Sequence, residues 1–351
     1  MDESAELTRI PLLHRAYGAV PLPPLVTATL LWVLLVGTWL VYQNVLGSFE
    51  GLFLGGKLFF FQPGRWPELL LLGLLAYCGA SLILGARGCR RDLEALEGRL
   101  DGTDVERVWN ELGRATFSRR GRWLSVTASV LLGLAILRGI LAYEETGCFM
   151  FGEHDRWWII GRELVLFAVL GQVIYESLMS AAFFSRLGRE YLTVDVLHTD
   201  GLCTVARTGL RNALMLSVGA SAVLLLMAGG EDFAQGAILV AGMIYSAAFA
   251  ALLLPLRGLR DRIRQAKREE IGRVSSVIAE TREAQLGGQG SAEAAGRDLQ
   301  GLLAYREFVE KVREWPLNGA TVTRFAVYLA IPLWTWAGSS MVDRAVRALL
   351  D

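Results

Sequence analysis

Apolar residues along this chain gather in long runs that are separated by segments rich in charge. Runs of about 20 residues can cross a hydrocarbon core of ~30 Å as helices that rise ~1.5 Å per residue. Seven such runs predict an all-α, polytopic membrane protein with about seven transmembrane helices. The predicted spans are Leu25–Leu46, Pro67–Ala86, Trp123–Tyr143, Trp157–Phe184, Leu210–Ala228, Ala234–Leu256 and Ala320–Gly338. The first run lacks the cleavage pattern of a signal peptide, so we expect it to remain as a span.

The distribution of basic residues predicts the orientation of these spans. With the N-terminus inside, the four inner segments hold 27 of the 35 lysines and arginines. Cytoplasmic loops of membrane proteins carry such an excess, so we place the N-terminus inside and the C-terminus outside. The chain then divides into a bundle of six spans (1–256, with a cytoplasmic segment at 87–122), a cytoplasmic helical hairpin (257–316), and the seventh span with a short tail (317–351). The stretch 45–62 is compatible with a re-entrant or an interfacial segment.

The sixth span continues into charged sequence without a break. Residues from Arg257 to Arg273 include seven basic and three acidic side chains, while apolar residues recur at steps of three and four. This pattern predicts one helix from Ala234 to Leu286, about 80 Å long at ~1.5 Å per residue. A second helix, at about 292–315, is predicted to return beside it and complete the hairpin. Two helices alone bury little core, so their apolar seam should pack against copies of itself or against segment 87–122.

The last predicted span carries a polar face. Its members recur at steps of three and four and so share one side of a helix. They are Thr321, Arg324, Tyr328, Pro332, Thr335 and Ser339. Such a face is unfavourable in lipid, so it either lines an aqueous path or forms hydrogen bonds inside the bundle.

Four charged residues within the spans are candidates for ion pairs or gates. A charge near the bilayer centre costs about 2.5–3.5 kcal/mol on insertion scales, so each calls for a partner or water. Arg138 and Glu163 lie at matching depth on the third and fourth spans, which predicts a tie between them or a substrate contact. Glu176 lies deeper, and a bond to Arg324 or Arg211 would make either an inner gate or a packing bridge.

Catalytic patterns are missing from the sequence. His14, His154 and His198 fall in different segments, and no metal-ligand cluster or nucleophile motif is present. The four cysteines show no pairing or metal spacing. Lysine plus arginine equals aspartate plus glutamate at 35 each, so no overall attraction to nucleic acid follows. We therefore expect no enzyme activity, no cofactor and no metal. The sequence is compatible with binding of a small-molecule ligand.

Two resemblances bear on these expectations. The segment YLTVDVLHTDGLCTVARTG, residues 191–209, resembles the LHPDG-containing segment of uncharacterised bacterial and archaeal multi-pass membrane proteins, with Thr199 in place of proline. The later segment YREFVEKVREWPLN, residues 305–318, is similar to the same group. Together the motifs cover about a tenth of the chain. The resemblance implies a prokaryotic cytoplasmic (inner) membrane and no particular activity.

The layout of the chain also resembles that of the insect odorant and gustatory receptor type of ion channel. The shared features are seven spans, an inner N-terminus, a long sixth helix and a cytoplasmic helix that leads into the seventh span. That resemblance implies four subunits joined through cytoplasmic helices and a pore lined by the seventh spans. The closing Thr-Tyr and Gln-Phe signature of those receptors is not found here.

These observations leave three hypotheses. The first is a homo-oligomeric ion channel, a tetramer by resemblance, whose pore is lined by the polar face of the last span. The second is a membrane-anchored sensor or scaffold that acts through the cytoplasmic hairpin. The third is a small-solute transporter whose uptake depends on Glu176.

Overall fold

The protein is nearly all helical in the computed structural model. The structure describes residues 22–45, 53–54, 57–58, 66–100, 104–144, 153–193, 203–225, 234–286, 292–312, 315, 323–324, 326–327, 330 and 334. The helices are α1 (Pro24–Val45), α2 (Trp66–Glu94), α3 (Val105–Val108), α4 (Arg114–Thr116), α5 (Arg119–Glu144), α6 (Glu153–Glu190), α7 (Cys203–Leu225), α8 (Ala234–Leu286) and α9 (Ala292–Lys311). A 3₁₀ turn at Glu97–Arg99 precedes α3, and a π-helical turn at Trp109–Gly113 joins α3 to α4. Within the 45–62 stretch, two-residue strands β1 (Phe53–Leu54) and β2 (Lys57–Leu58) pair antiparallel.

Six helices are long and apolar enough to cross a membrane, namely α1, α2, α5, α6, α7 and α8. They coincide with the first six predicted spans, which are thus confirmed as long apolar helices, consistent with a membrane protein. Helix α8 has the predicted bounds, and Pro255 lies inside it without ending it. The seventh predicted span falls mostly outside the described residues. Its described residues, at 323–324, 326–327, 330 and 334, are helical.

Helix α6 contacts α2, α5, α7 and α8. Helix α7 packs mainly against α2 and α8, and its small residues Ala213, Ser217 and Ala220 are buried, which allows these helices to approach closely. Helices α1 and α5 are peripheral, because only 6% and 11% of their apolar stretches are buried, against 44–56% in the other four. Their exposed leucines, valines and tryptophans therefore suit contact with lipid.

Two glycines allow α6 and α8 to cross at very short distance. A Cβ at Gly188 would lie 3.2 Å from the backbone nitrogen of Leu259, and a Cβ at Gly258 would overlap the carbonyl oxygen of Ser185. Backbone therefore faces backbone at this crossing, at the predicted membrane exit of α8. A side chain on Gly258 would push the two helices apart.

A second apolar core lies beyond this crossing, on the predicted cytoplasmic side. It joins the ends of α2, α6 and α8 to the segment between α2 and α5. Its largest buried members are Leu93, Leu96, Phe183, Phe184 and Leu187, together with Leu259 and Ile263 of α8. Trp109 meets the edge of the Phe183 ring with centroids 5.5 Å apart. The core of the folded unit thus continues past residue 256, where the predicted boundary of the bundle lies.

Helix α9 lies along the charged part of α8 that follows Leu256. The Lys267 ammonium donates hydrogen bonds to the carbonyl oxygens of Glu310 (2.6 Å) and Val312 (3.1 Å), at the end of α9. Tyr305, earlier in α9, donates to the carboxylate of Glu270 at 3.2 Å. Later residues of α8 thus contact earlier residues of α9, so the two helices are antiparallel. A lysine at the C-terminal end of a helix also interacts favourably with the helix dipole.

Candidate functional site

Two groups of charged and polar side chains lie inside the bundle, one near each end of the spans. The first, called the Glu68 cluster, comprises Glu68 of α2 and Trp158, Arg162 and Glu163 of α6. The second, called the Asp92 cluster, comprises Asp92 of α2 and Thr208 and Arg211 of α7. Both clusters join α2 to another span, and both use charge-assisted hydrogen bonds, which are stronger than neutral ones.

In the Glu68 cluster one guanidinium lies between two carboxylates. Arg162 pairs with Glu68 through one terminal nitrogen and with Glu163 through the other, at 2.6 Å. Trp158 donates its indole N–H to Glu68 at 2.7 Å. The side chains of Arg162, Glu68 and Glu163 are only 9–13% exposed. Burial of this kind weakens screening by water, so loss of one partner would leave a costly unpaired charge.

This arrangement differs from the predicted pair of Arg138 and Glu163. Glu163 bonds to its neighbour Arg162, and Arg138 is exposed on α5 with no ion pair to any described residue. The physical reason is that α5 is peripheral, so its outward arginine faces away from the bundle. The acidic partner that the sequence reasoning missed is Glu68. The sequence feature that could have indicated this partner is the position of Glu68 in the first turn of α2, close to the tryptophan that begins the helix.

In the Asp92 cluster a single carboxylate oxygen accepts two hydrogen bonds. The hydroxyl of Thr208 and a terminal nitrogen of Arg211 each lie 2.6 Å from Oδ2 of Asp92. Asp92 and Thr208 are buried, while the Arg211 side chain is 23% exposed. The guanidinium of Arg211 lies against the Cα of Gly88, where any side chain would displace it. The cluster therefore fixes the N-terminal part of α7 against α2.

Glu176 belongs to neither cluster. Its carboxylate lies 3.3 Å from Nε of Arg122 on α5, and both side chains are about one quarter exposed at 24% and 22%. The partner is therefore Arg122 and not the predicted Arg211 or Arg324, because Asp92 already holds Arg211. Near this pair, Tyr175 donates to the carbonyl oxygen of Ser118 at 2.9 Å. These contacts attach the first turn of the peripheral α5 to α6.

Between the two clusters the bundle is filled with apolar side chains. Leu82, Leu166, Leu170, Leu216 and Ile244 are buried there. Buried polar side chains also occur in this bundle, among them Ser81, Gln172, Ser217 and Ser221. Of these, Gln172 Nε2 and Ser217 Oγ have no hydrogen-bond partner in the described part of the chain. Each such unpaired group carries a desolvation cost of roughly 1–3 kcal/mol.

A cavity of about 430 Å³ lies on the side of the bundle. It is lined by Trp32 of α1, by residues of α2 from Leu69 to Tyr77, and by Val218 and Ala222 of α7. Its walls are almost entirely apolar. Trp32 closes part of it and donates its indole N–H to the carbonyl oxygen of Leu69 at 3.1 Å. The cavity offers no charged or acid–base group for chemistry.

Arg324 is the described member of the predicted pore-lining set. It is helical and exposed, and no described residue of the same chain pairs with it. The other members, Thr321, Tyr328, Thr335 and Ser339, lie outside the described residues, as does Pro332. Within the described part of the chain, no group of three or more histidine, cysteine, aspartate or glutamate side chains is placed to hold a metal ion.

The remaining signal that the sequence reasoning missed concerns Asp92. This residue lies in the charged stretch RGCRRDLE, within the segment 87–122 that was predicted to be cytoplasmic. Yet Cys89, Leu93 and Leu96 follow a helical spacing, and Asp92 lies three residues after the first of them, on the same face. All four are buried. An acidic residue on an apolar helical face was therefore the available indication.

Comparison of the chain with protein-family models, with curated proteins and with solved structures found no match in any of the three.

Proposed function

We propose that this protein is a homo-oligomeric ion channel whose pore lies between copies of the chain and is lined by the polar face of the last span. The observation that carries the proposal is the exposure of Arg324 in the single chain. A guanidinium on a membrane span needs water or a counter-charge. Since no described residue of its own chain supplies one, the proposal places it at a water-filled path between subunits.

The packing of the described bundle supports a pore between subunits and not within one. The layer between the Glu68 and Asp92 clusters is apolar and closely packed. An ion would have to leave its hydration shell to enter it, at a cost that no described side chain offsets. A path between copies requires no opening of this layer.

The contacts of α9 support the position of the last span. Lys267 holds the end of α9 against α8, and the Arg260 guanidinium lies 4.8 Å from the centroid of the Trp315 ring. The chain thus approaches its last span close to the point where α8 leaves the membrane. In the proposal, α8 and α9 form the cytoplasmic hairpin, and residues 317–351 supply the seventh span with its C-terminus outside.

The test is single-channel recording from purified protein in planar bilayers. Reconstituted protein should conduct, and Arg324→Gln and Arg324→Glu should shift ion selectivity in a graded way, because they remove and then reverse a charge at the pore. Arg90→Gln is the matched control, since this exposed arginine pairs with Glu94 of its own chain at 3.0 Å and should leave the currents unchanged. Folded oligomers that carry no current, or currents with the same selectivity in all variants, would contradict the proposal.

A second candidate is a scaffold or sensor that recruits an acidic partner through α8. The observation that favours it is a set of exposed arginines on the cytoplasmic part of that helix, at Arg257, Arg264 and Arg268. Deletion of the whole hairpin is not a suitable test, because Leu259 and Ile263 belong to the inner core. Replacement of the three arginines by glutamine keeps that core. A scaffold would lose its captured partners and carry no current in any form, whereas each particle that still assembles as a channel would conduct as wild type does.

A further inference from the structure

Three arginines of α8 share one exposed face, called here the arginine face. Arg257, Arg264 and Arg268 fall within an arc of about 40° on a helix with 3.6 residues per turn. All three are exposed, and no described residue of the same chain forms an ion pair with them. Asp261 lies beside them, but it pairs with Arg189 of α6 at 3.5 Å. The face therefore retains a net positive charge.

The segment between α2 and α3 has the opposite character. Residues 94–106 include five acidic side chains and one arginine. Glu97 and Glu106, called here the acidic face, are exposed and form no ion pair with any described residue. Glu94 is already engaged by Arg90 at 3.0 Å, and Asp104 caps α3 by accepting from the backbone N–H of Glu106 at 3.4 Å.

The two faces lie at the same level of the molecule but on different sides of it. Leu96 and Leu100 of the acidic segment share a buried core with Leu259 and Ile263 of α8. These two α8 residues point about 140° away from the arginine face at ~100° per residue. The acidic face therefore cannot reach the arginine face of its own chain across the body of α8.

We infer that the arginine face of one copy binds the acidic face of a second copy, in a head-to-tail arrangement on the cytoplasmic side. Interfaces between two different surfaces of the same chain generate closed rings when the rotation closes. Complementary charges at the same level fix the register of such an assembly. This inference extends the homo-oligomeric part of the proposed function, and it holds or fails independently of conduction.

A lipid surface fits the arginine face less well. Arg268 lies 11 residues after Arg257, about 16 Å further along the axis at ~1.5 Å per residue. Because α8 leaves the membrane near Leu256, only Arg257 lies at the level of the headgroups if the helix stands upright. Electrostatic attraction falls off within a Debye length of about 8 Å at physiological salt. A flat anionic leaflet would therefore not reach Arg268, whereas the acidic segment of a neighbour lies at that level.

The experiment is a charge swap on full-length protein in detergent, measured by native mass spectrometry. The first variant carries Arg264→Glu and Arg268→Glu, and the second carries Glu97→Lys and Glu106→Lys. When either variant is expressed alone, like charges face each other across the interface between copies. The fraction of protein in the oligomer should therefore fall roughly ten-fold or more. Co-expression of the two with different tags should restore oligomers in which the variants alternate, and such rings contain an even number of chains.

The matched control reverses two exposed arginines that pair within their own chain, as Arg90→Glu and Arg273→Glu. It changes the net charge by the same amount and should leave the oligomer intact. Unchanged thermal unfolding of each variant shows that it still folds. Variants that both assemble like wild type, or a mixture that stays apart, would overturn the inference. The inference would also be overturned if wild type sediments with anionic vesicles while the Arg264→Glu and Arg268→Glu variant does not, and that variant still forms the oligomer. The arginine face would then bind lipid and not a second copy.

Discussion

Removal of the Asp92 carboxylate should destabilise the bundle strongly, and removal of its partner as well should restore part of that loss. In Asp92→Ala, Arg211 loses the described carboxylate that neutralises it, and Thr208 keeps only a 3.4 Å bond to the carbonyl oxygen of Thr204. Breaking one side of a buried ion pair costs about 3–5 kcal/mol. Because the Arg211 side chain is 23% exposed and can hydrate, we expect the lower end, about 3 kcal/mol.

Two comparisons test this reasoning. Thr208→Val keeps the ion pair and removes one hydrogen bond to the charged Asp92 carboxylate, so it should cost about 1.5–3 kcal/mol. Asp92→Ala with Arg211→Met removes both charges and should be more stable than Asp92→Ala alone, because no buried charge remains unpaired. The free energy of unfolding can be followed by tryptophan fluorescence during titration with a denaturing detergent. The assigned pairing would be refuted if the double variant lost as much free energy of unfolding as Asp92→Ala and Arg211→Met together. It would also be refuted if Asp92→Ala were as stable as wild type.

Three further predictions concern other contacts. Gly258→Ala should lower the free energy of unfolding by about 1–3 kcal/mol or more, because the new methyl group would meet the backbone of α6. In the same unfolding assay, the control Gly242→Ala on the same helix should stay within about 1 kcal/mol of wild type, because its methyl group would enter open space. Lys267→Met should release the end of α9 and speed limited proteolysis there several-fold, while far-UV circular dichroism stays unchanged; equal cleavage rates would contradict the contact. Trp158→Phe should cost about 1.5–3 kcal/mol, since it removes a hydrogen bond to the charged Glu68; a loss below 0.5 kcal/mol would count against that bond.

The sequence was sufficient to predict helices and their lengths where a pattern extends over many residues. Apolar runs located six spans, and the unbroken helical spacing through Arg257 predicted α8 from Ala234 to Leu286, which the structure confirms. Both signals are local, since they depend on residues a few positions apart in one helix.

The partners of the charged residues could not be predicted in the same way. Helical spacing shows which side of a helix a residue occupies, but not which helix lies opposite that side. Glu176 therefore had Arg211 and Arg324 as candidate partners, and its actual partner, Arg122, lies in a segment assigned to the cytoplasm. The same limit explains why Glu68 was missed as the partner of Arg162. Pairing depends on how the helices are arranged relative to one another, which is a property of the whole bundle.

The oligomer itself gives the most direct test of the proposed function. An image of the detergent-purified particle by electron cryomicroscopy, at a resolution that shows side chains, would reveal both the symmetry and the residues at the axis. The account predicts a ring of identical subunits, with Arg324 and the polar face of the last span toward the axis and Trp334 away from it. A monomeric particle, or a ring with Trp334 and its apolar neighbours closing the axis, would contradict it.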